Sequence, residues 1–167
     1  SNEILYEVFK DIEPVLDMVD KELLEQGESR LTFFEALAVL AFAAFADAPI
    51  DVLVLEVGMG GAWDSTNVAD GDVAVFTPID LDHQERLGET ITEIAETKSG
   101  IIKSGAAVVS AVQPQEALDV LEKVSSEIGD TFRILGQDFT VTEYIESEAG
   151  ITFSVEGLAG TYQNLFI

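Results

Sequence analysis

The sequence predicts an α/β domain with a Rossmann-like, mostly parallel sheet flanked by helices and a small antiparallel β extension at its C-terminal end. Three observations predict it. Short β-branched apolar runs occur at residues 50–57, 73–77 and 106–112, helical patterns precede and separate them, and the pattern changes to closely spaced strand-like runs beyond residue 131. The first run, Ile-Asp-Val-Leu-Val-Leu-Glu-Val, does not alternate cleanly, as is usual for parallel strands buried on both faces.

Taken in order, residues 3–27 place Ile4, Leu5, Val8, Phe9, Ile12, Val15, Leu16, Val19, Leu23 and Leu24 three and four apart, an amphipathic helix that Pro14 is expected to split in two. Thr32 followed by Glu35 is a capping box, so a helix begins at Phe33. It runs to about Asp47 and is apolar almost all round, which predicts cover on most sides. Residues 87–102 form the next helical pattern, opened by a second capping box, Thr90 with Glu93, and interrupted by Gly100. Pro114 suits a first helical position, Ala117, Leu118, Leu121, Val124 and Ile128 share a face, and Gly129 closes that helix. Residues 132–135, 139–145 and 151–155 read as short strands, with Glu148-Ala149-Gly150 as a hairpin turn between the last two. The expected divisions are a helical segment, 1–30, an α/β core, 31–131, and a β extension, 132–167.

Composition narrows the function. With 167 residues, 47% hydrophobic, and a mean hydropathy of +0.25, the chain can bury a core and is not a disordered polyanion. Eight Lys and Arg against 32 Asp and Glu give a net charge of −24, which repels phosphate backbones; nucleic acid and anionic membranes are poor partners. An acid excess of this size keeps a protein soluble in high salt. The absence of cysteine excludes disulfides, thiolate zinc clusters and a thiol nucleophile. The longest apolar run, 36–46, is shorter than the roughly 18 residues of a membrane span, and residues 1–10 carry acids rather than a signal-peptide pattern, so a cytoplasmic location is expected.

In open parallel sheets ligands gather beyond the carboxyl ends of the strands. The run 50–57 delivers Glu56 there, followed by Gly58, Gly60 and Gly61 and then by Asp64 and Asn67. A carboxylate at a strand end can hold a metal, and glycines let backbone approach a ligand closely, which makes Gly58 and Gly60 candidates for cofactor contact; Asn67, in the same stretch, is a further candidate. The alternative is a tight glycine turn beside a half-exposed glutamate. The second run delivers Asp80, Asp82 and His83, the single histidine of the chain, and a neutral imidazole beside carboxylates is a candidate divalent-metal donor. Lys98 ends the next helical pattern, where it either complements the helix C-terminus or serves as a functional amine. No Gly-x-x-x-x-Gly-Lys-Ser/Thr loop occurs, so no phosphate cradle is visible.

Five ordered blocks carry a resemblance: Leu31-Thr32-Phe33-Phe34-Glu35; the stretch from Leu55 through Gly58-Met59-Gly60-Gly61-Ala62-Trp63-Asp64-Ser65-Thr66-Asn67 to Val68; Thr77-Pro78-Ile79-Asp80-Leu81-Asp82-His83; Leu87-Gly88; and Lys98-Ser99-Gly100-Ile101-Ile102-Lys103. They resemble the folylpolyglutamate synthase/dihydrofolate synthase family of the Mur ligase superfamily, over the middle of its ATPase domain. The P-loop segment and the C-terminal glutamate-binding domain fall outside the resemblance. It implies ATP-dependent ligation of L-glutamate to dihydropteroate or a folate through an acyl phosphate, with ATP and Mg²⁺ as cofactors. It further implies that Glu56 and His83 hold Mg²⁺, that Lys98 is carbamylated and supports the metal as a carboxylate, and that Thr32, Phe34 and Asp64 lie near the folate or pterin. Residues 160–163 are similar to the start of a family helix, with Tyr162 in a histidine's place. Ala62 stands where many relatives carry a larger residue, and Thr97 where the family usually has Glu.

Without a P-loop, the 167 residues alone are expected to be inactive. They are also expected to self-associate through hydrogen-bonding edges beside the strand that ends at Glu56. The alternative class is a non-enzymatic metal- or ligand-binding α/β module of the same descent.

Overall fold

The computed structural model describes residues 2–128 and 131–167, so the expected helix stop at Gly129 lies outside the described residues. The chain divides into two units, Ser1–Gly58 and Met59–Ile167.

In the first unit, helix α1 (Asn2–Glu25) packs against helix α2 (Phe33–Ala46). The α1–α2 loop is tied back by the Asp20 carboxylate, whose Oδ1 accepts from the Leu31 amide at 2.8 Å. Pro14 does not split α1. It costs the helix one N–H bond and some strain but not its continuity, because both flanking halves are well-patterned helix. The capping box at Thr32 is formed, with the Thr32 amide donating to Glu35 Oε2 at 2.7 Å and the Glu35 amide to Thr32 Oγ1 at 3.2 Å. The expectation that α2 is covered on most sides fails: none of its residues is buried, and Phe33 is 83% exposed. An apolar sequence creates a demand for cover, but α1 answers that demand on one side only.

The expected strand at 50–57 also fails. These residues form no strand, and Val52 and Val54 stand 79% and 90% exposed. β-branched residues favour extended backbone, yet a strand exists only where a neighbouring backbone supplies its ladder, and none does so here among the described residues. Glu56 accordingly sits in an irregular segment, and the strand edge expected beside it is absent.

The second unit holds two sheets. The first is parallel, in the order β1 (Val73–Phe76), β2 (Ala107–Ser110), β3 (Phe132–Ile134), with Ala74 opposite Val108 and Ser110 opposite Ile134. A short helix α3 (Gln84–Leu87) and helix α4 (Ile91–Ser99) connect β1 to β2, and helix α5 (Gln115–Ile128) connects β2 to β3. Alternate strand residues Ala74, Phe76 and Val108 join Ile94 and Ala95 of α4 and Ala117 and Leu121 of α5 in the core. This is the βαβ logic read from the sequence, since a strand's inward residues have a period of two and a helix's have one near 3.6.

The second sheet is antiparallel, β4 (Thr140–Ser147), β5 (Gly150–Gly157), β6 (Gly160–Phe166), and begins later than expected, because residues 132–134 belong to the parallel sheet. The turn at Glu148-Ala149 joins β4 to β5 as read. Residues 160–163 start a strand rather than a helix. A tight turn at Leu158-Ala159 returns the chain onto β5, Val155 pairs with Tyr162, and the Thr, Tyr, Leu and Phe content suits a pleated surface. Among the described residues, no helix is long and apolar enough to cross a membrane.

Candidate functional site at the carboxyl edge of the parallel sheet

The Met59–Val68 loop of the second unit is built inward from Asp64. Its carboxylate accepts from the Met59 amide at 2.8 Å, the Thr66 amide at 2.9 Å and the Thr66 hydroxyl at 2.6 Å, the two Thr66 bonds buried and the Met59 bond part-buried. These bonds fold the glycine turn and cap the short 3₁₀ helix Ser65–Val68. Asp64 therefore has a structural task in addition to the substrate contact the resemblance implies.

The glycine turn is pressed against the end of α4. The Ala62 amide donates to the Thr97 carbonyl at 2.9 Å, and a β-carbon on Gly61 would fall 2.7 Å from Thr97 O and 2.8 Å from Lys98 O. A β-carbon on Gly100 would fall 2.4 Å from that of Ala62, so the small residues at 61, 62 and 100 permit a close backbone approach that larger ones forbid. Gly60 has φ +77°, and a β-carbon on it would fall 2.8 Å from the Trp63 ring. Asn67 completes the join: Nδ2 donates to Ala62 O at 3.1 Å and Gly100 O at 3.0 Å, and the Asn67 carbonyl accepts from Lys103 Nζ at 2.9 Å. The structure thus brings Gly61, Ala62 and Asn67 to the helix end that carries Lys98, itself half-buried, while Gly60 faces Trp63 and Leu87. A helix C-terminus leaves carbonyls without intrahelical partners, and Ala62 and Asn67 satisfy two of those around 97–100.

His83 lies on the loop that leaves β1, at the carboxyl edge. Its backbone is left-handed (φ 48°, ψ 38°), its amide donates to Asp82 Oδ1 at 2.8 Å, and its Nε2 lies 3.6 Å from Asp82 Oδ2. The imidazole is about half exposed. Asp80 is also exposed, and its Oδ1 accepts from the Leu81 amide at 2.7 Å.

In the first unit, Phe34 covers Gly58: a β-carbon there would fall 2.4 Å from the ring. Thr32 is engaged in its capping box, and Glu56 is exposed. Hydrogen bonds from Thr32 hold the Glu35 carboxyl below the usual glutamate range, and the Thr90 hydroxyl together with the Glu89 and Thr90 amides does the same for Glu93.

Among the described residues, no three His, Asp or Glu side chains converge on one point. Mg²⁺ does not require that. It keeps several waters and takes one or two protein carboxylates together with phosphate oxygens, and within the second unit the exposed Asp80, Asp82 and His83 supply carboxylate and imidazole donors of that kind. Two residues that the sequence reading did not single out do most to build this edge. They are Gln113, whose signal is its place just past the β-run 106–112, and Thr66, which has no distinguishing signal.

Comparison with known proteins shows the family. The model of the Mur ligase middle domain matches residues 1–160. The chain belongs to the Mur ligase middle-domain family. Within it, the chain is 37% identical over 168 residues to the dihydrofolate synthase/folylpolyglutamate synthase of Mycobacterium tuberculosis, covering 95% of this chain and 34% of that protein. The folylpolyglutamate synthase of that organism complexed with ADP superposes with a TM-score of 0.89 at 36% identity, over 100% of this chain and 38% of the other. An FPGS–AMPPCP–folate complex superposes at 0.85 and 33% identity, over 97% and 39%. The family and the α/β fold with its parallel and antiparallel sheets agree with the sequence reading. This Mur ligase middle domain spans about a third of the length of the relatives it matches.

Proposed function

We propose that these residues serve an ATP-dependent ligase that joins the amine of L-glutamate to a carboxylate of dihydropteroate or a folate, activated as its acyl phosphate. The observation that carries the reading is the construction of the carboxyl edge. The lone histidine stands where β1 exits, and the glycine turn is bonded to the backbone of the helix that presents Lys98. That is the layout expected of a site that holds a nucleotide at a sheet edge. Its support from kinship is the ADP, AMPPCP and folate named in the solved relatives.

In this reading Glu56 and His83 are donors to Mg²⁺, which supplies charge neutralisation between phosphate and carboxylate when bound. Lys98 contributes a carboxylate after its neutral amine adds CO₂ and sheds a proton. Gly58 and Gly60 admit the nucleotide close to backbone, and Asn67 holds the turn against α4. Thr32, Phe34 and Asp64 border the pterin end of the substrate. Positioning contributes much of the rate in phosphoryl transfer, so a chain without a P-loop is expected to release no ADP alone.

The test is a chimera in which residues 1–160 replace the matched segment of the M. tuberculosis relative. ATP- and folate-dependent glutamate addition is expected, with a loss of about a hundredfold or more in kcat for His83→Ala and Glu56→Gln. A folded chimera in which both substitutions leave kcat unchanged would refute the assignment.

A further inference from the structure

The side chain of Gln113 replaces a piece of missing β-ladder, and it does so at the root of the loop that carries His83. The last backbone bond between β2 and the β1 exit is Ala111 N–H to Phe76 O at 2.8 Å. Beyond it the ladder cannot continue, because Pro78 has no N–H to give. The Gln113 carboxamide takes over. Its Oε1 accepts from the Ile79 amide at 2.8 Å, and its Nε2 donates to the Thr77 carbonyl at 2.9 Å and to Ser110 Oγ at 3.0 Å. Ser110 and Ile79 are 0% and 3% exposed, so the bonds to these two are part-buried, where an unmet partner is costly, while the bond to the Thr77 carbonyl is exposed. Glutamate would keep the acceptor and lose both donors; asparagine would fall one methylene short.

We propose that Gln113 is a positioning residue for His83, fixing the loop 77–83 across the carboxyl ends of β1 and β2 so that the imidazole is held at the sheet edge. The functional part of this proposal rests on the ligase reading above; the coupling of Gln113 to His83 does not.

The chain has one histidine, so its imidazole ¹³C–¹H signals are unambiguous. In Gln113→Ala, the Ile79 amide is expected to exchange about fivefold faster or more, and the His83 signals to shift and broaden, while amides of α4 and α5 keep their protection. Gln113→Glu, which keeps the acceptor for Ile79, is expected to preserve more of the Ile79 protection and still move His83, and it serves if the alanine variant does not fold. Gln115→Ala, which removes only an exposed bond to Asp119, is the control and is expected to leave His83 unmoved. Unchanged Ile79 exchange and unchanged His83 signals in both Gln113 variants would overturn the proposal.

Added Mn²⁺ separates the two ideas. Broadening of the wild-type imidazole that falls severalfold in Gln113→Ala supports positioning for a cation, and equal broadening in both contradicts it. If wild-type His83 is not broadened at all, the cation role of His83 falls, and the coupling stands or falls on exchange and shifts. In the chimeric ligase, positioning is expected to lower kcat with the folate KM unchanged. A change in KM alone contradicts it.

Discussion

The two units of this chain satisfy their apolar sequences to very different degrees. In the second, Ile94, Val108 and Leu121 are fully buried between a parallel sheet and two helices, and the polar loops at the carboxyl edge are bonded to that frame. In the first, two helices with equally convincing sequence signals pack on each other and bury no residue completely. Local signals, caps and periodicity, are sufficient to make a helix, whereas a core needs at least three elements that face one another. The chemistry-bearing edge therefore inherits its rigidity from long-range packing, not from the motifs that advertise it.

The largest test of that difference is truncation of the core. Leu121→Ala or Ile94→Ala is expected to destabilise by about 2–5 kcal/mol, whereas Leu37→Ala on exposed α2 is expected to cost less than about 1 kcal/mol, both read from denaturant midpoints. Next comes Gly61→Ala. Its β-carbon would meet Thr97 and Lys98 backbone within 2.9 Å, so a loss of about 1–3 kcal/mol is expected, together with shifted amide signals at 97–100. A silent substitution would mean that the turn is not seated on α4.

The paired capping boxes sharpen the contrast further. Thr90→Ala is expected to lower global stability by about 1 kcal/mol because α4 belongs to the core, whereas Thr32→Ala is expected to register mainly as faster local exchange in α2. The smallest effect is that of pH. Glu35 and Glu93 both titrate below the ordinary glutamate range in the folded chain, so their contribution is present above the unfolded value and is lost as pH falls through the folded one. Helix-end protection in α2 and α4 is expected to weaken below about pH 4.5 by hydrogen exchange, and no weakening there would contradict the caps.

Much of the second unit was legible from sequence because its signals are local and mutually consistent. Thr90 with Glu93 starts α4, Pro114 precedes α5, and two short β-branched runs become β1 and β2. The failures share one cause, which is that pairing partners are not written into the segment itself. Residues 50–57 have strand composition and no ladder, residues 160–163 resemble a helix start but find β5 waiting, and residues 132–134 pair with β2 instead of with the later strands. At the site, His83 and Lys98 stood out as rare residue types in an acidic chain. Gln113 did not, because its value lies in the geometry of Pro78 across the sheet and not in its own chemistry. The role of Asn67 as a helix-end partner is visible only once Gly100 is beside it.

The central structural claim is that residues 59–167 form the stable frame that holds the His83 loop, the glycine turn and the Lys98 helix end. Residue-resolved native-state amide exchange on the intact chain tests it most directly. Amides of β1, β2, α4 and α5 are expected to exchange only through global opening, with those of α1 and α2 faster by orders of magnitude. Equal protection in α1 and α2, or rapid exchange in β2 and α4, would contradict it.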